Sequence, residues 1–194
     1  MASRLENFEI LLGVTGGIAA YKSAALCSKL TKEQAGVTVV MTKHAQPFVG
    51  SLTFSSLSGR LVYTDLFAAE KACDFQHISL TEKADLIVVA PATANIIGKM
   101  AGGICDDLLS TLLAAAVTEK NILLAPAMNH RMWENPAVKR NVETVKQWGC
   151  QIIGPATGHL ACGDDAIGRM CEPEEILERI IELLANKKPK NTLK

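Results

Sequence analysis

Asp85-Leu86-Ile87-Val88-Val89-Ala90-Pro91-Ala92-Thr93-Ala94-Asn95 is the stretch from which the fold can be worked out. Five consecutive apolar residues with β-branched side chains at their centre are what a strand needs when both of its faces are covered, as in a parallel sheet. The proline that follows cannot donate to a ladder, and Thr93 is a good cap for a helix running on to Met100. The same pattern recurs in both directions. Upstream, a strand Glu9 to Val14 leads into a helix Ile18 to Lys32, a strand Val37 to Met41 and a helix near Pro47 to Leu57. Downstream come a helix Asp106 to Glu119, the apolar run Asn121 to Ala125, a helix Ala137 to Trp148 entered through Asn135-Pro136, a strand Gln151 to Ile153 and a helix Glu174 to Ala185. Strands alternating with helical crossovers specify a three-layer α/β fold, a Rossmann-like or flavodoxin-like parallel sheet with helices on both faces. The last helix begins at Pro173 with acids in its first turn and repeats Ile176, Leu177, Ile180, Ile181 and Leu184 at helical spacing, which makes it structural. Residues 1–185 read as one domain, and the Lys-rich 186–194 as a flexible tail or linker.

Composition narrows the function classes. The chain has 194 residues, 48% of them hydrophobic and 21% charged, enough for one good core. Twenty basic and twenty acidic residues cancel, and no basic cluster is interleaved with aromatics. Nucleic acid and anionic membranes are therefore not expected as partners, and a small molecule is. Arg4, Glu6 and Glu9 interrupt any signal-peptide core, and the longest uncharged apolar stretch, Leu108 to Thr118, is too short to span a bilayer, so the cytoplasm is the expected compartment. Six cysteines without a CxxC pair argue against a zinc site or a dithiol motif. Cys27, Cys105 and Cys150 read as buried small hydrophobes.

Three loops follow expected strands and would meet at the carboxyl edge of the sheet, where ligands of open α/β folds bind. Gly13-Val14-Thr15-Gly16-Gly17-Ile18 opens the first helix, a place where backbone N–H groups and the helix dipole attract a phosphate. A tight strand-to-helix turn explains the two glycines equally well, and that alternative stays open here. The spacing is not GxGxxG, and Thr42-Lys43-His44 stands where the ribose-binding acid of an NAD site would be, which favours a mononucleotide. Pro91-Ala92-Thr93-Ala94-Asn95 offers a hydroxyl and an amide among small residues, suited to a flat ring. Pro126-Ala127-Met128-Asn129-His130-Arg131-Met132-Trp133 places an amide and two thioethers at the mouth of the crevice, as a substrate site would; capping a helix or turn is the other reading of Asn129.

Taken in order, these loops resemble the homo-oligomeric flavin-containing cysteine decarboxylases, and most closely the phosphopantothenoylcysteine decarboxylases of coenzyme A synthesis. The resemblance runs from Thr15-Gly16-Gly17-Ile18-Ala19-Ala20-Tyr21-Lys22 through His77, Ala90 to Asn95, Gly102-Gly103-Ile104-Cys105-Asp106-Asp107-Leu108-Leu109 and the Pro126 to Asn129 loop. It ends at Gly158-His159-Leu160-Ala161-Cys162-Gly163 and Gly168-Arg169-Met170, and so covers nearly the whole chain. Where the family commonly has a third glycine before the Gly-Arg pair, this chain has Ala166.

The resemblance implies FMN, with its phosphate at Gly16, Gly17 and Ile18, a further contact at Thr42, and its ring near Thr93, Ala94, Asn95 and Ala127. It implies substrate contacts at Phe48, Met128, Asn129, His130, Ala161 and Cys162. The implied roles are acid/base chemistry on the thiol for His77, a grip on the substrate carboxylate for Asn129, and protonation of an enethiol for Cys162. The implied reaction converts 4'-phosphopantothenoyl-cysteine to 4'-phosphopantetheine by thiol oxidation to a thioaldehyde, loss of carbon dioxide and re-reduction, because direct decarboxylation would leave an unstabilised carbanion. Peptidyl-cysteine decarboxylases lack the Cys162 motif, whereas prenyltransferase-like relatives and non-enzymatic flavin-binding homologues share the fold. The family also implies trimers or dodecamers, and a phosphopantothenate-cysteine ligase as fused or separate neighbour.

Overall fold

The computed structural model describes residues 3–66, 76–159, 163 and 165–189. Six parallel strands form one sheet: β1 (Glu9–Val14), β2 (Gly36–Met41), β3 (Val62–Tyr63), β4 (Leu86–Ala92), β5 (Ile122–Pro126) and β6 (Gln151–Ile152). Their order is β3-β2-β1-β4-β5-β6, the doubly wound arrangement whose direction of winding reverses between β1 and β4. That reversal opens a crevice beyond the carboxyl ends of these two strands. The expected parallel α/β architecture is present, with the Rossmann rather than the flavodoxin strand order.

Side-chain alternation along each strand supplies two apolar layers. Ile10, Leu12 and Val14 of β1 and Leu86, Val88 and Ala90 of β4 pack with α1 (Ala20–Lys32), α2 (Ser51–Ser58) and the carboxyl-terminal helix Pro173–Leu184. Leu11 of β1 and Ile87 and Val89 of β4 face the other way, against α3 (Gln76–Lys83), α4 (Ala94–Gly102) and α5 (Leu108–Ala116). Each fully buried aliphatic side chain contributes about 1.5–3 kcal/mol, so a strand covered on both faces is anchored twice. Close approach matters at Gly13, where an added Cβ would stand 2.7 Å from Leu109 Cδ1. The proline of β4 falls where the β4–β5 register shifts between Val89 and Ala92, a position that tolerates a missing N–H.

Two short helical segments follow β5: α6 (His130–Trp133) and α7 (Pro136–Gln147), the latter capped by Asn135, whose Oδ1 accepts from Ala137 N at 2.8 Å. The hairpin of β7 (Ala156–His159) and β8 (Asp165–Arg169) precedes α8 (Pro173–Leu184). Among the described residues no helix is long and apolar enough to cross a membrane.

Several expectations need correction. The helix read as Ile18 to Lys32 begins at Ala20, after a turn closed by Ala20 N donating to Gly17 O at 2.9 Å. The helix expected near Pro47 begins at Ser51 and ends on the left-handed Gly59. The helix expected from Asp106 to Glu119 is shorter, because Asp107 caps it at Leu108 and it closes at Ala116. The short β3, α3 and the single turn α6 stand outside the expected elements. Gly158 and Gly168 lie on β7 and β8, which pair as an antiparallel two-stranded ladder. Cys27 and Cys150 are buried as expected, and burial pushes each thiol up to about 11. Cys105 is exposed instead, because it lies between α4 and α5 and not on either helix.

Candidate active site

The three loops converge as the topology requires. Thr15, just after β1, donates its hydroxyl to Pro91 O at 2.7 Å and lies 3.2 Å from Thr93 Oγ1, so the loops on either side of the winding reversal are pinned together. Thr93 caps α4 by accepting from Ile96 N at 3.4 Å. Ala127 N donates to Ala92 O at 3.1 Å, which ties the loop after β5 to the same spot. Above them lies a cavity of about 910 Å³.

Its lining includes Gly16, Gly17, Ile18, Thr42, Thr93, Ala94, Asn95, Ala127, Met128 and Asn129, so ten residues expected at the site do come together. The two glycines differ. A Cβ on Gly16 would lie 2.5 Å from His44 O, so this glycine is needed for the turn to pack against the loop after β2. At Gly17 the nearest atom to such a Cβ is Thr93 Cγ2 at 3.9 Å, and the space beyond it is cavity. The N–H groups of Ala20, Tyr21 and Lys22 that open α1 donate to the carbonyls of Gly17, Ile18 and Ala19 at 2.9, 3.5 and 3.0 Å, so the donors that could meet an anion are those of the Gly16-Gly17-Ile18 turn ahead of the helix.

Asn129 is both a cap and a lining residue. Its Oδ1 accepts from Arg131 N at 2.9 Å, which fixes the side chain at the start of α6. The loop is braced from above by β8, since Met128 N donates to Gly168 O at 3.0 Å and any Cβ on Gly168 would run into the Met128 carbonyl.

Two expected residues within the described part are not brought into this lining. Phe48 is half exposed and His130 opens α6; neither is among the lining side chains. Ala161 and Cys162 lie outside the described residues. His77 sits in the first turn of α3, and its side chain too lies outside what is described.

Sequence reasoning missed a charged cluster at one end of the cavity. Lys22 of α1 is buried, and its Nζ donates to Met170 O at 3.0 Å and to Glu172 Oε1 at 2.8 Å. Arg169 Nη2 lies 3.3 Å from the same carboxylate oxygen. His159 and Asp165 face each other across the hairpin at 3.5 Å. The one signal in the sequence that singles out Lys22 is a lysine in the first turn of a helix among small and apolar residues, Ala19-Ala20 before it and Ser23-Ala24-Ala25-Leu26 after it.

Among known proteins, the Flavoprotein family model matches residues 2–185. The Coenzyme A biosynthesis bifunctional protein CoaBC of Bacillus subtilis is 50% identical over 174 residues, covering 90% of this chain and 42% of that protein. The chain spans less than half the length of the curated relatives it matches. A solved cysteine-to-serine mutant of PPC decarboxylase complexed with pantothenoylaminoethenethiol superposes with a TM-score of 0.83 at 34% identity, covering 92% of this chain and 99% of that one. The FMN binding protein AtHal3 gives a TM-score of 0.81 at 33% identity, covering 94% and 100%.

Proposed function

The chain belongs to the Flavoprotein family, and we propose that it is an FMN-dependent decarboxylase that converts 4'-phosphopantothenoyl-cysteine to 4'-phosphopantetheine in coenzyme A synthesis. The observation that carries this reading is the convergence of the Gly16-Gly17 turn, the Thr93-Ala94-Asn95 helix start and the Asn129 amide on one cavity of about 910 Å³. Pockets for single small molecules run to about 1,000 Å³, so the volume suits a cofactor with a substrate beside it. The relatives named for coenzyme A biosynthesis and the neighbours named for FMN and PPC decarboxylation support it.

The residues fit FMN. The open space at Gly17 and the backbone N–H groups of the Gly16-Gly17-Ile18 turn suit its phosphate, Thr42 lines the same cavity, and the small side chains of Ala94 and Ala127 leave room for a flat ring. When bound, FMN supplies a two-electron acceptor and donor that lets a cysteine thiol be oxidised before its carboxylate leaves. The chain's own groups do the rest. Asn129 orients the carboxylate by hydrogen bonding without adding a charge that would stabilise the ground state. His77 takes the thiol proton, a thiol with pKa about 8.5 being mostly protonated at neutral pH. Cys162 returns a proton to the enethiol. That a cysteine-to-serine relative was solved with an aminoethenethiol bound supports this last role. Met128 packs against the substrate, with Ala161, His130 and Phe48 at the outer part of its path.

We read residues 1–185 as a single decarboxylase domain with 186–194 as its tail, acting in the cytoplasm. In the longer protein implied by the bifunctional relatives, a phosphopantothenate-cysteine ligase domain follows or works beside it. Trimers, alone or gathered into dodecamers, are the proposed assembly. The exposed apolar side chains Ile18 and Tyr21, both lining the cavity, support a subunit boundary there. The deciding experiment is release of carbon dioxide from phosphopantothenoyl-cysteine by the FMN-loaded protein. A yellow protein that releases none would overturn the reading and leave a flavin-binding homologue of another kind.

A further inference from the structure

We propose that Arg169 recognises the phosphate monoester at the non-reacting end of the substrate and sets the preference for phosphorylated over unphosphorylated pantothenoyl compounds. The inference rests on the substrate reading above. Among the described residues, and apart from histidines, the charged side chains lining the cavity are Lys22, Arg169 and Glu172. Glu172 Oε1 serves both cations, so one positive charge is left uncompensated on the wall. Lys22 is not the group that offers it. Its side chain is 8% exposed, and its ammonium already donates to the Met170 carbonyl and to Glu172.

Arg169 is different in each respect. Its side chain is 42% exposed, and its single ion pair among the described residues is the one with Glu172, through Nη2 at 3.3 Å. The guanidinium lies over Gly158 on the neighbouring strand, with Cζ and Nε 3.3 Å from where a Cβ would be. A side chain at position 158 would displace it. The backbone of one strand and a carboxylate thus hold a planar five-donor fork at the rim of the cavity, the geometry that matches phosphate bidentately.

The substrate has two anionic ends, and the chemistry decides between them. The carboxylate departs as neutral carbon dioxide, so a cation on it would stabilise the ground state more than the transition state. The neutral Asn129 amide suits that end. The phosphate keeps its charge throughout, and binding energy gained there serves to orient the reacting end.

The test uses FMN-loaded protein with two pairs of probes. Affinities for 4'-phosphopantetheine and pantetheine are measured by calorimetry, and decarboxylation is compared for phosphopantothenoyl-cysteine and pantothenoyl-cysteine. In the wild type the phosphorylated member of each pair should be preferred, and Arg169→Gln should reduce that preference about tenfold. Arg169→Lys, which keeps the charge but not the fork, should fall between and guards against a folding defect in the first variant. An unchanged ratio with both ligands weakened equally, or a wild type without preference, overturns the proposal. If the wild type releases carbon dioxide from neither cysteine compound yet discriminates the pantetheines through Arg169, the function reading fails and the anion anchor stands. If it decarboxylates both while the variant leaves their ratio unchanged, the anchor fails and the function stands.

Discussion

Gly16→Ala and Gly17→Ala add one methyl group each at adjacent positions, and the structure assigns them opposite defects. At position 16 the new Cβ would stand 2.5 Å from His44 O and 2.6 Å from His44 Cβ. Backbone must move, and overpacking of that kind costs roughly 1–3 kcal/mol of folding stability. At position 17 the nearest protein atom is a methyl carbon 3.9 Å away, an ordinary contact. Stability there should change by no more than about 0.5 kcal/mol. The methyl occupies the space proposed for the FMN phosphate, however, and the same overpacking cost now falls on the complex. Roughly 1–3 kcal/mol corresponds to about a 5- to 150-fold loss of FMN affinity. Thermal melts of the flavin-free proteins should therefore show a lowered midpoint for Gly16→Ala alone. Titration with FMN, followed by quenching of its fluorescence, should show weak binding for Gly17→Ala. Wild-type FMN affinity in a well-folded Gly17→Ala protein would refute the placement of the phosphate.

Other outcomes follow from the same geometry. Asn129→Asp should fold and bind flavin normally, because aspartate caps α6 as well as asparagine does, while repulsion between carboxylates abolishes substrate binding; unchanged substrate affinity by calorimetry counts against the assignment. His77→Asn should leave the flavin absorbance unbleached by substrate, whereas Cys162→Ser should bleach it and release carbon dioxide once before stalling at the enethiol. A Cys162→Ser protein that reaches the saturated aminothiol at the normal rate removes the role given to that thiol. Asp107 is partly buried, which by itself raises its carboxyl, but hydrogen bonds from Lys99 and Ser110 outweigh this and hold it below the ordinary 3.8. A depressed value stabilises the fold above the unfolded pKa and loses that contribution as pH falls from about 4 through the folded value. Asp107→Asn keeps the α5 cap, so melts should show a loss under about 1 kcal/mol at neutral pH and a flatter decline below about pH 4. An acid limb as steep as the wild type's would show that this carboxyl is not the group responsible.

The sheet was legible because its strands are buried on both faces, so Leu86 to Ala90 and Ile122 to Ala125 are unbroken apolar runs. The edge was not. Val62–Tyr63 is two residues long and only half buried, too little for any period to show. Gln76–Lys83 presents Leu80 as its one described large side chain in the core, so no helical stripe stands out in the sequence. The hairpin strands Ala-Thr-Gly-His and Asp-Ala-Ile-Gly-Arg lack an apolar alternation, and their pairing depends on the loop after β5 that β8 rests against. At the site, the glycine turn and the capped helix starts are local signals that the sequence carries openly. Lys22, Arg169 and Glu172 are not local: nearly the whole domain separates the first from the last, and only the folded sheet makes them neighbours.

The contact between Lys22 and Glu172 joins residues 150 positions apart. Closing so long a loop is entropically costly until the intervening strands have paired, so this contact belongs to the end of folding. Lys22 also bonds the carbonyl just before α8, and Glu172 is the cap from which that helix starts. A chain still emerging from synthesis would thus have its glycine turn in place well before it had a closed cavity wall. Flavin retention should accordingly be acquired late and all at once, when the final helix docks, and incomplete chains would leave free flavin in solution.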